Sequence, residues 1–184
     1  MSAPQVRRTD RVMSDARIEE LLANGFCGRL ATVGADGAPY CVPLLYVWLD
    51  GEVLLHNTGA RGHLRTNVEH EARVCFEIDE PGQVFDYGRF ECDSSVSYRS
   101  VIVFGRARIV TETAAKQRFC EALMAKYRKD KAERPQGFFP RLDEITVYAI
   151  AVDRMTGKEL ALPAVSQQWP AVDMTKSPRA VAPG

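Results

Sequence analysis

Apolar positions along the chain follow two periods. They alternate, or run unbroken, over six segments, which predicts β-strands at residues 26–33, 39–49, 52–57, 72–79, 98–110 and 145–154. They recur every three or four residues over three other segments. That spacing predicts helices from Ser14-Asp15 to about Asn24, over a short stretch after Gly62, and from Thr111 to about Arg128.

The segment 39–49 differs from the other strands because both of its faces are apolar. The even-numbered residues from Tyr40 to Trp48 are apolar, and so are the odd-numbered residues from Cys41 to Leu49. An antiparallel strand usually leaves one face to water, so we expect this one to be covered on both sides, by the core and by a partner subunit or ligand. Pro43 has no N–H, so it belongs at a sheet edge, a bulge or a local opening, where a flat ligand can dock.

Turn residues join the first three strands into consecutive hairpins. Asp36-Gly37 and Asp50-Gly51 are typical of tight turns that need positive φ angles. The chain has no GxGxxG motif and no alternating β/α series, which excludes a doubly wound nucleotide-binding fold. We therefore predict a mainly β, α+β fold: a six-stranded antiparallel β-barrel with peripheral helices.

Four of the regions outside these elements carry predictions of their own. Residues 1–13 are polar and aperiodic and predict an N-terminal arm, and residues 164–184 predict an extended Pro/Ala-rich tail after a single domain over 14–163. Residues 80–97, rich in Gly, Asp and Ser with three aromatic side chains, predict a long irregular loop of the kind that often carries function. Thr156-Gly157-Lys158 predicts a turn away from the last strand.

Composition narrows the class of protein. A chain of 184 residues suits one domain with its own core. A formal net charge of zero and a pI of about 6.8 give no sign of nucleic-acid or membrane binding. The N-terminus lacks the pattern of a secretion signal. Five scattered cysteines without a CxxC pair fit neither a disulfide framework nor a structural zinc site. We expect a cytoplasmic protein without a metal site, whose cysteines are mostly buried.

Residues 54–65 carry the most distinctive chemistry. A strand ends at Thr58-Gly59 and a helix begins near Gly62, whose first turn offers free N–H groups and the positive end of the helix dipole. Basic side chains surround that end: Arg61, His63 and Arg65. The stretch lacks the Gly-Lys-Ser/Thr of a P-loop, so it predicts an anion-binding turn of another kind. An ordinary strand–helix junction with basic surface residues accounts for the same spacing.

Several short motifs lie in a fixed order along the chain: Gly28-Arg29-Leu30-Ala31-Thr32, Asp36-Gly37-Ala38-Pro39-Tyr40, Val42-Pro43-Leu44-Leu45-Tyr46, Leu55-His56-Asn57, Gly62-His63-Leu64, Cys92 with 95–105, and Thr156-Gly157-Lys158. In this order they resemble the FMN-binding split-barrel superfamily, which includes pyridoxamine phosphate oxidase. The likeness is greatest to its 5-nitroimidazole resistance (Nim) group of flavoproteins. The resemblance covers roughly residues 14–160.

The resemblance implies a split barrel that forms a homodimer with FMN at the subunit interface. The residues that would hold the FMN phosphate are His56, Asn57, Thr58, Arg61, Gly62, His63 and Leu64. Those along the isoalloxazine ring would be Val42, Pro43, Leu44 and Tyr46, with Ser100 completing the site. Many relatives carry a lysine at the position of His63, so we expect the phosphate to be held less strongly here, or in a pH-dependent way.

The resemblance further implies an FMN-dependent oxidoreductase that reduces a small electrophile, such as a nitroaromatic compound, with electrons from a nicotinamide donor. The flavin carries the hydride chemistry in such an enzyme, so no acid–base residue needs to stand out. Pyridoxamine phosphate oxidase activity itself is not expected, because 160–163 lacks the arginine-containing pattern for the substrate phosphate. Two alternatives stay open: a flavin-binding module without robust turnover, and a split barrel that binds haem or a deazaflavin.

Overall fold

One antiparallel sheet organises the part of the chain that the computed structural model describes, residues 6–88, 90–128 and 136–164. Its strands are β1 (Gly28–Val33), β2 (Pro39–Leu44), β3 (Tyr46–Leu49), β4 (Glu52–Thr58), β5 (Arg73–Asp86), β6 (Ser94–Val110) and β7 (Ile145–Leu160). The helices are α1 (Asp15–Asn24), α2 (His63–His70) and α3 (Thr113–Tyr127). The predicted α+β class is confirmed, with seven strands rather than six.

The seventh strand appears because the segment 39–49 is divided in two. The strand order is β2-β1-β5-β6-β7-β4-β3, so β2 and β3 lie at opposite edges of the sheet although only Leu45 separates them in the chain. The sheet must therefore curl until its edges meet at Leu45. The two edges share no ladder, which leaves the barrel split and open at this point. Pro43 lies in edge strand β2, which is one of the three placements that its missing N–H predicted.

Two cores hold the sheet. The first fills the barrel and includes side chains from α1 and α2, among them Leu21, Leu22 and Leu64. The second lies between α3 and the outer face of β3, β4 and β7, and its members include Val47, Leu54, Phe119, Leu123 and Val147.

The expectation that 39–49 is covered on both faces is therefore met only in its second half. On β3, Tyr46 packs inside the barrel and Val47 packs under α3. On β2, Val42 and Leu44 pack against the barrel core, whereas Cys41 and Pro43 are exposed on the outer face. The outer face of β2 thus remains uncovered in a single chain.

The predicted long loop at 80–97 is wrong. β5 and β6 pair as far as Asp86 and Ser94, so only the tip of a long hairpin is irregular. The register shifts between Pro81 and Val84, where the Ser97 hydroxyl accepts from the Gln83 N–H at 2.9 Å. This bulge interrupts the period-two pattern, which is why the sequence looked irregular.

The predicted turn at Thr156-Gly157-Lys158 is also wrong, because β7 continues to Leu160. Gly157 serves close packing instead of a turn. A Cβ at this position would lie 2.5 Å from Cγ1 of Ile18 and 2.9 Å from Cβ of Met13. The Met13 N–H donates to the Gly157 carbonyl at 3.1 Å, so the end of the N-terminal arm is joined to β7.

The predicted hairpin between β3 and β4 is confirmed, whereas the predicted N-cap of α3 is wrong. Asp50 and Gly51 have φ angles of 54° and 78°, as the predicted hairpin between β3 and β4 requires. Helix α3 begins at Thr113 with Glu112 as its N-cap, not Thr111.

Only Cys120 of the five cysteines is buried, so the expectation of mostly buried thiols is wrong. Among the described residues no helix has the length and apolar character needed to cross a membrane. The predicted tail, from 165 onward, lies outside them.

Candidate functional site

The turn between β4 and α2 leaves the start of the helix accessible. β4 ends at Thr58 and α2 begins at His63, with Gly62 as its N-cap. A Cβ at Gly62 would meet no described atom within 4 Å, so the backbone here faces open space. The main-chain N–H groups of the first helical turn have no acceptor within the helix. These features make the turn a geometrically suitable anion cradle.

Buried contacts hold α2 at the end of the barrel. Leu64 packs in the barrel core, and the buried Asn67 side-chain amide donates to the Thr32 hydroxyl of β1 at 3.0 Å. The His63 ring lies 5.6 Å from the ring of Tyr40 on β2. The open turn therefore lies beside the start of edge strand β2. A ligand anchored at the turn can extend along β2 toward Pro43.

Charges around the turn are partly paired. Arg61 and Arg65 both contact Glu69, with Nη2–Oε2 and Nε–Oε1 distances of 2.5 and 2.9 Å. The hydrogen bond from Arg65, together with the charge of Arg61, holds the pKa of the Glu69 carboxyl below its usual value. His63 is exposed at the first position of the helix. The two arginines of this region therefore already share one counter-ion.

The remaining predicted phosphate residues flank the turn. The Asn57 side-chain carbonyl accepts from the Tyr148 hydroxyl at 3.2 Å, and Thr58 is exposed where β4 pairs with Ile145. The Gly59 N–H donates to the Glu144 carbonyl at 2.7 Å and so anchors the turn to the start of β7. Thr58 itself is exposed at the end of β4, where the turn begins.

The structure separates the residues predicted to lie along the isoalloxazine ring. Val42 and Leu44 point into the barrel and Pro43 points outward. Tyr46 is fully buried, and its hydroxyl donates to the Leu22 carbonyl at 2.7 Å. Ser100 is half-buried on the outer face of β6, between Asp79 and Lys158. Of these five described residues, Pro43, on the outer face of edge strand β2, is the exposed one.

His56 does not share a face with the turn. Its ring lies 5.4 Å from the ring of Phe119, on the side of β4 that α3 covers. Its Nδ1 is buried and has no hydrogen-bond partner among the described residues. Burial lowers the pKa of this imidazole. The surroundings of His56 are thus those of a strand residue packed beneath a helix.

We expect His56→Leu to stabilise the fold. The substitution removes the buried Nδ1 that lacks a hydrogen-bond partner. We expect this to raise the free energy of unfolding by about 1 kcal/mol at pH 7. Because the folded-state pKa lies below the unfolded value of 6.5, the wild-type protein loses stability as the pH falls from 6.5 through the folded pKa. The gain from His56→Leu should therefore grow on acidification. Urea unfolding at pH 7.5 and 5.5 measures it, with the exposed His70→Leu as control. If the gain in the free energy of unfolding is the same at both pH values, burial does not lower the pKa of His56 in the folded protein.

Two residues of this region were not among the predicted site residues. Tyr40 places β2 against the turn, and no local pattern reveals a contact between a strand and a helix 23 positions away. Glu69 pairs with both arginines, and its position four residues after Arg65 was a visible signal for one of those pairs. The pair with Arg61 depends on the turn geometry.

Known proteins share this architecture. A family model described as pyridoxamine 5'-phosphate oxidase matches residues 14–159. A 5-nitroimidazole antibiotic resistance protein from Bacteroides thetaiotaomicron has a similar structure, with a TM-score of 0.67 at 22% identity over 80% of this chain and 85% of that one. The FAD and haem binding protein of Mycobacterium smegmatis has a TM-score of 0.68 at 23% identity, over 82% of this chain and 74% of that one.

A FAD-binding protein from Mesorhizobium loti gives a TM-score of 0.59 at 21% identity, over 82% of this chain and 98% of that one. At these identities the structural matches establish the fold and nothing finer. No curated protein matches the sequence. The family match covers most of the chain and all seven strands except the last residue of β7. The chain therefore belongs to the pyridoxamine 5'-phosphate oxidase family of split barrels.

Proposed function

We propose that this protein is an FMN-dependent oxidoreductase that reduces a small electrophile, such as a nitroaromatic compound, with electrons from a nicotinamide donor. The observation that carries the proposal is the open first turn of α2, which lies beside edge strand β2 in a chain of this family. The similar structures named for 5-nitroimidazole resistance and for FAD binding support it.

The residues present fit a mononucleotide. The N–H groups at the start of α2, with Arg61, His63 and the Thr58 hydroxyl, supply donors and positive charge for a phosphate. The outer face of β2 around Pro43 supplies an apolar surface for a flat ring. When bound, the flavin supplies hydride transfer, and the protein binds it, orients it and keeps water from one of its faces.

We further propose that the protein is a homodimer joined through the uncovered face of the barrel. An outward-facing row crosses four strands through Cys41, Ala31, Cys75 and Phe104, which are neighbours in register. No described helix covers this row, although α3 covers the same outer face farther along the sheet, at β3, β4 and β7. A second copy would bury this apolar row, and it would close the side of the ring that β2 leaves open.

Ala31→Arg tests the dimer, because it places a charge in the centre of the proposed interface. We expect sedimentation equilibrium to show twice the chain mass of 20.5 kDa for the wild type and a monomer for the variant. Ala114→Arg, on the exposed surface of α3, is the matched control and should remain dimeric. If Ala31→Arg stays dimeric, the interface does not include this face of the barrel.

The absorption spectrum of the purified protein tests the cofactor. We expect an oxidised flavin spectrum, as purified or after reconstitution, and release of FMN on denaturation. Anaerobic reduction by a nicotinamide nucleotide followed by reoxidation with a nitroimidazole then distinguishes an enzyme from a flavin carrier. A protein that takes up no flavin would refute the proposal. A haem spectrum would favour the chemistry that the M. smegmatis protein is named for.

A further inference from the structure

We propose that Glu69 is an internal counter-ion that competes with the cofactor phosphate for Arg61 and Arg65, and so sets how tightly FMN is held and how fast it leaves. This inference rests on the proposed function, because it concerns the phosphate end of the same site. Nothing in the family match or in the names of the similar structures assigns a role to this glutamate.

The position of Arg61 is the first observation. Arg61 precedes α2, whereas Glu69 is the seventh residue of the helix, roughly 9 Å along its axis from His63 at 1.5 Å per residue. The 2.5 Å contact with Glu69 therefore draws the Arg61 guanidinium along the helix, away from the N–H groups of the first turn. To reach an anion at that turn, Arg61 must leave Glu69.

The pairing of Arg65 is the second observation. Its Nε donates to the other carboxylate oxygen of Glu69 at 2.9 Å, so one carboxylate holds both arginines of this region. Burial raises the pKa of Tyr148, and the charges of Arg65 and Glu69 also act on that hydroxyl, which donates to Asn57. The ion cluster thus lies beside the residues predicted to bind the phosphate.

The exchange between the two anions is physically accessible. The side chain of Arg61 is 63% exposed and that of Glu69 is 28% exposed, so the pair is accessible to solvent and weak. A phosphate carries more negative charge than one carboxylate and accepts more hydrogen bonds from a guanidinium. Phosphate binding therefore transfers at least Arg61 from Glu69 to the cofactor, and the lost ion pair lowers the net affinity.

Glu69→Gln isolates this competition. It removes the charge that holds both arginines and keeps a side chain of similar size. We expect FMN to bind about fivefold more tightly and to dissociate more slowly. A fivefold change corresponds to the loss of one exposed ion pair, about 1 kcal/mol. Riboflavin, which lacks the phosphate, should bind with unchanged affinity. Flavin fluorescence titrations and stopped-flow dissociation measure the two quantities on the reconstituted full chain.

Glu71→Gln is the matched control. Glu71 pairs with Arg73 at 2.6 Å at the other end of α2, so this variant makes the same change in net charge without releasing Arg61 or Arg65. It should leave FMN binding unchanged. In an Arg61→Met background, the gain from Glu69→Gln should shrink.

Three results would overturn the inference while the proposed function stands: FMN affinity that is unchanged or weaker in Glu69→Gln, an equal gain for riboflavin, or an equal gain in Glu71→Gln. A wild-type protein that binds neither flavin would refute the proposed function, and the inference with it. Thermal unfolding of the flavin-free variants checks that both glutamine proteins fold like the wild type.

Discussion

Alanine at both Arg61 and His63 is expected to weaken FMN binding by about 100-fold and to leave riboflavin binding unchanged. Each charge-assisted hydrogen bond to a phosphate contributes on the order of 1.5–3 kcal/mol, and part of this is lost because the turn is exposed and Arg61 must first leave Glu69. The helical N–H groups remain in the variant, so residual phosphate binding should persist.

Equilibrium titration of the flavin-free protein with FMN and riboflavin measures the effect. The double variant His70→Ala with Arg73→Ala is the matched control, because it removes one histidine and one arginine at the opposite end of α2. We expect it to bind FMN like the wild type. Unchanged FMN affinity in the Arg61/His63 double variant would contradict the assignment of the phosphate to this turn. An equal loss of affinity for riboflavin would contradict it as well.

Tyr46→Ala is expected to destabilise the flavin-free protein by about 4 kcal/mol, as truncation of a fully buried aromatic side chain does. The ring packs edge-on against Phe76 with centroids 4.9 Å apart, and the Lys126 ammonium lies 3.8 Å from its centroid. Its hydroxyl satisfies the Leu22 carbonyl near the end of α1. The hydroxyl also lies 3.4 Å from the Leu21 carbonyl. Tyr46→Phe keeps the packing and loses only these hydroxyl contacts, so we expect the free energy of unfolding to fall by about 1 kcal/mol.

Urea unfolding of the flavin-free variants measures both changes without the added stability that a bound cofactor confers. The comparison separates two roles for Tyr46, which resemblance alone placed along the isoalloxazine ring. If its side chain belongs to the core, Tyr46→Phe should bind FMN like the wild type. A Tyr46→Phe protein of normal stability but weakened flavin binding would show that the side chain serves the cofactor.

Local chemistry explains which parts of the fold were predictable. The hairpin at Asp50-Gly51 depends on two adjacent residues that tolerate positive φ, so the sequence states it directly. The helical stripes that include Leu21, Leu64 and Phe119 bury one face of each helix and repeat within a few residues. The missing N–H of Pro43 limited it to an edge, a bulge or a local opening, and the edge is the placement found.

The failures share a different cause. Gly157 looked like a turn residue, but it is a strand residue whose missing side chain makes room for Met13 and Ile18, over 130 positions away. The hairpin of β5 and β6 was hidden by a bulge near Gln83, where a side-chain hydroxyl replaces a ladder partner. In each case the conformation depends on a distant neighbour, which no local pattern shows.

The same division holds for the site. By itself the sequence determined the turn before α2, its basic residues and the order of motifs that resembles the split barrels, because these depend on residue type and spacing. Tertiary structure decided the rest: that the strand 39–49 divides at Leu45 to serve both edges, that His63 meets Tyr40, that His56 packs under α3, and that Glu69 holds Arg61. These are contacts between elements, and their geometry exists only once the sheet has curled.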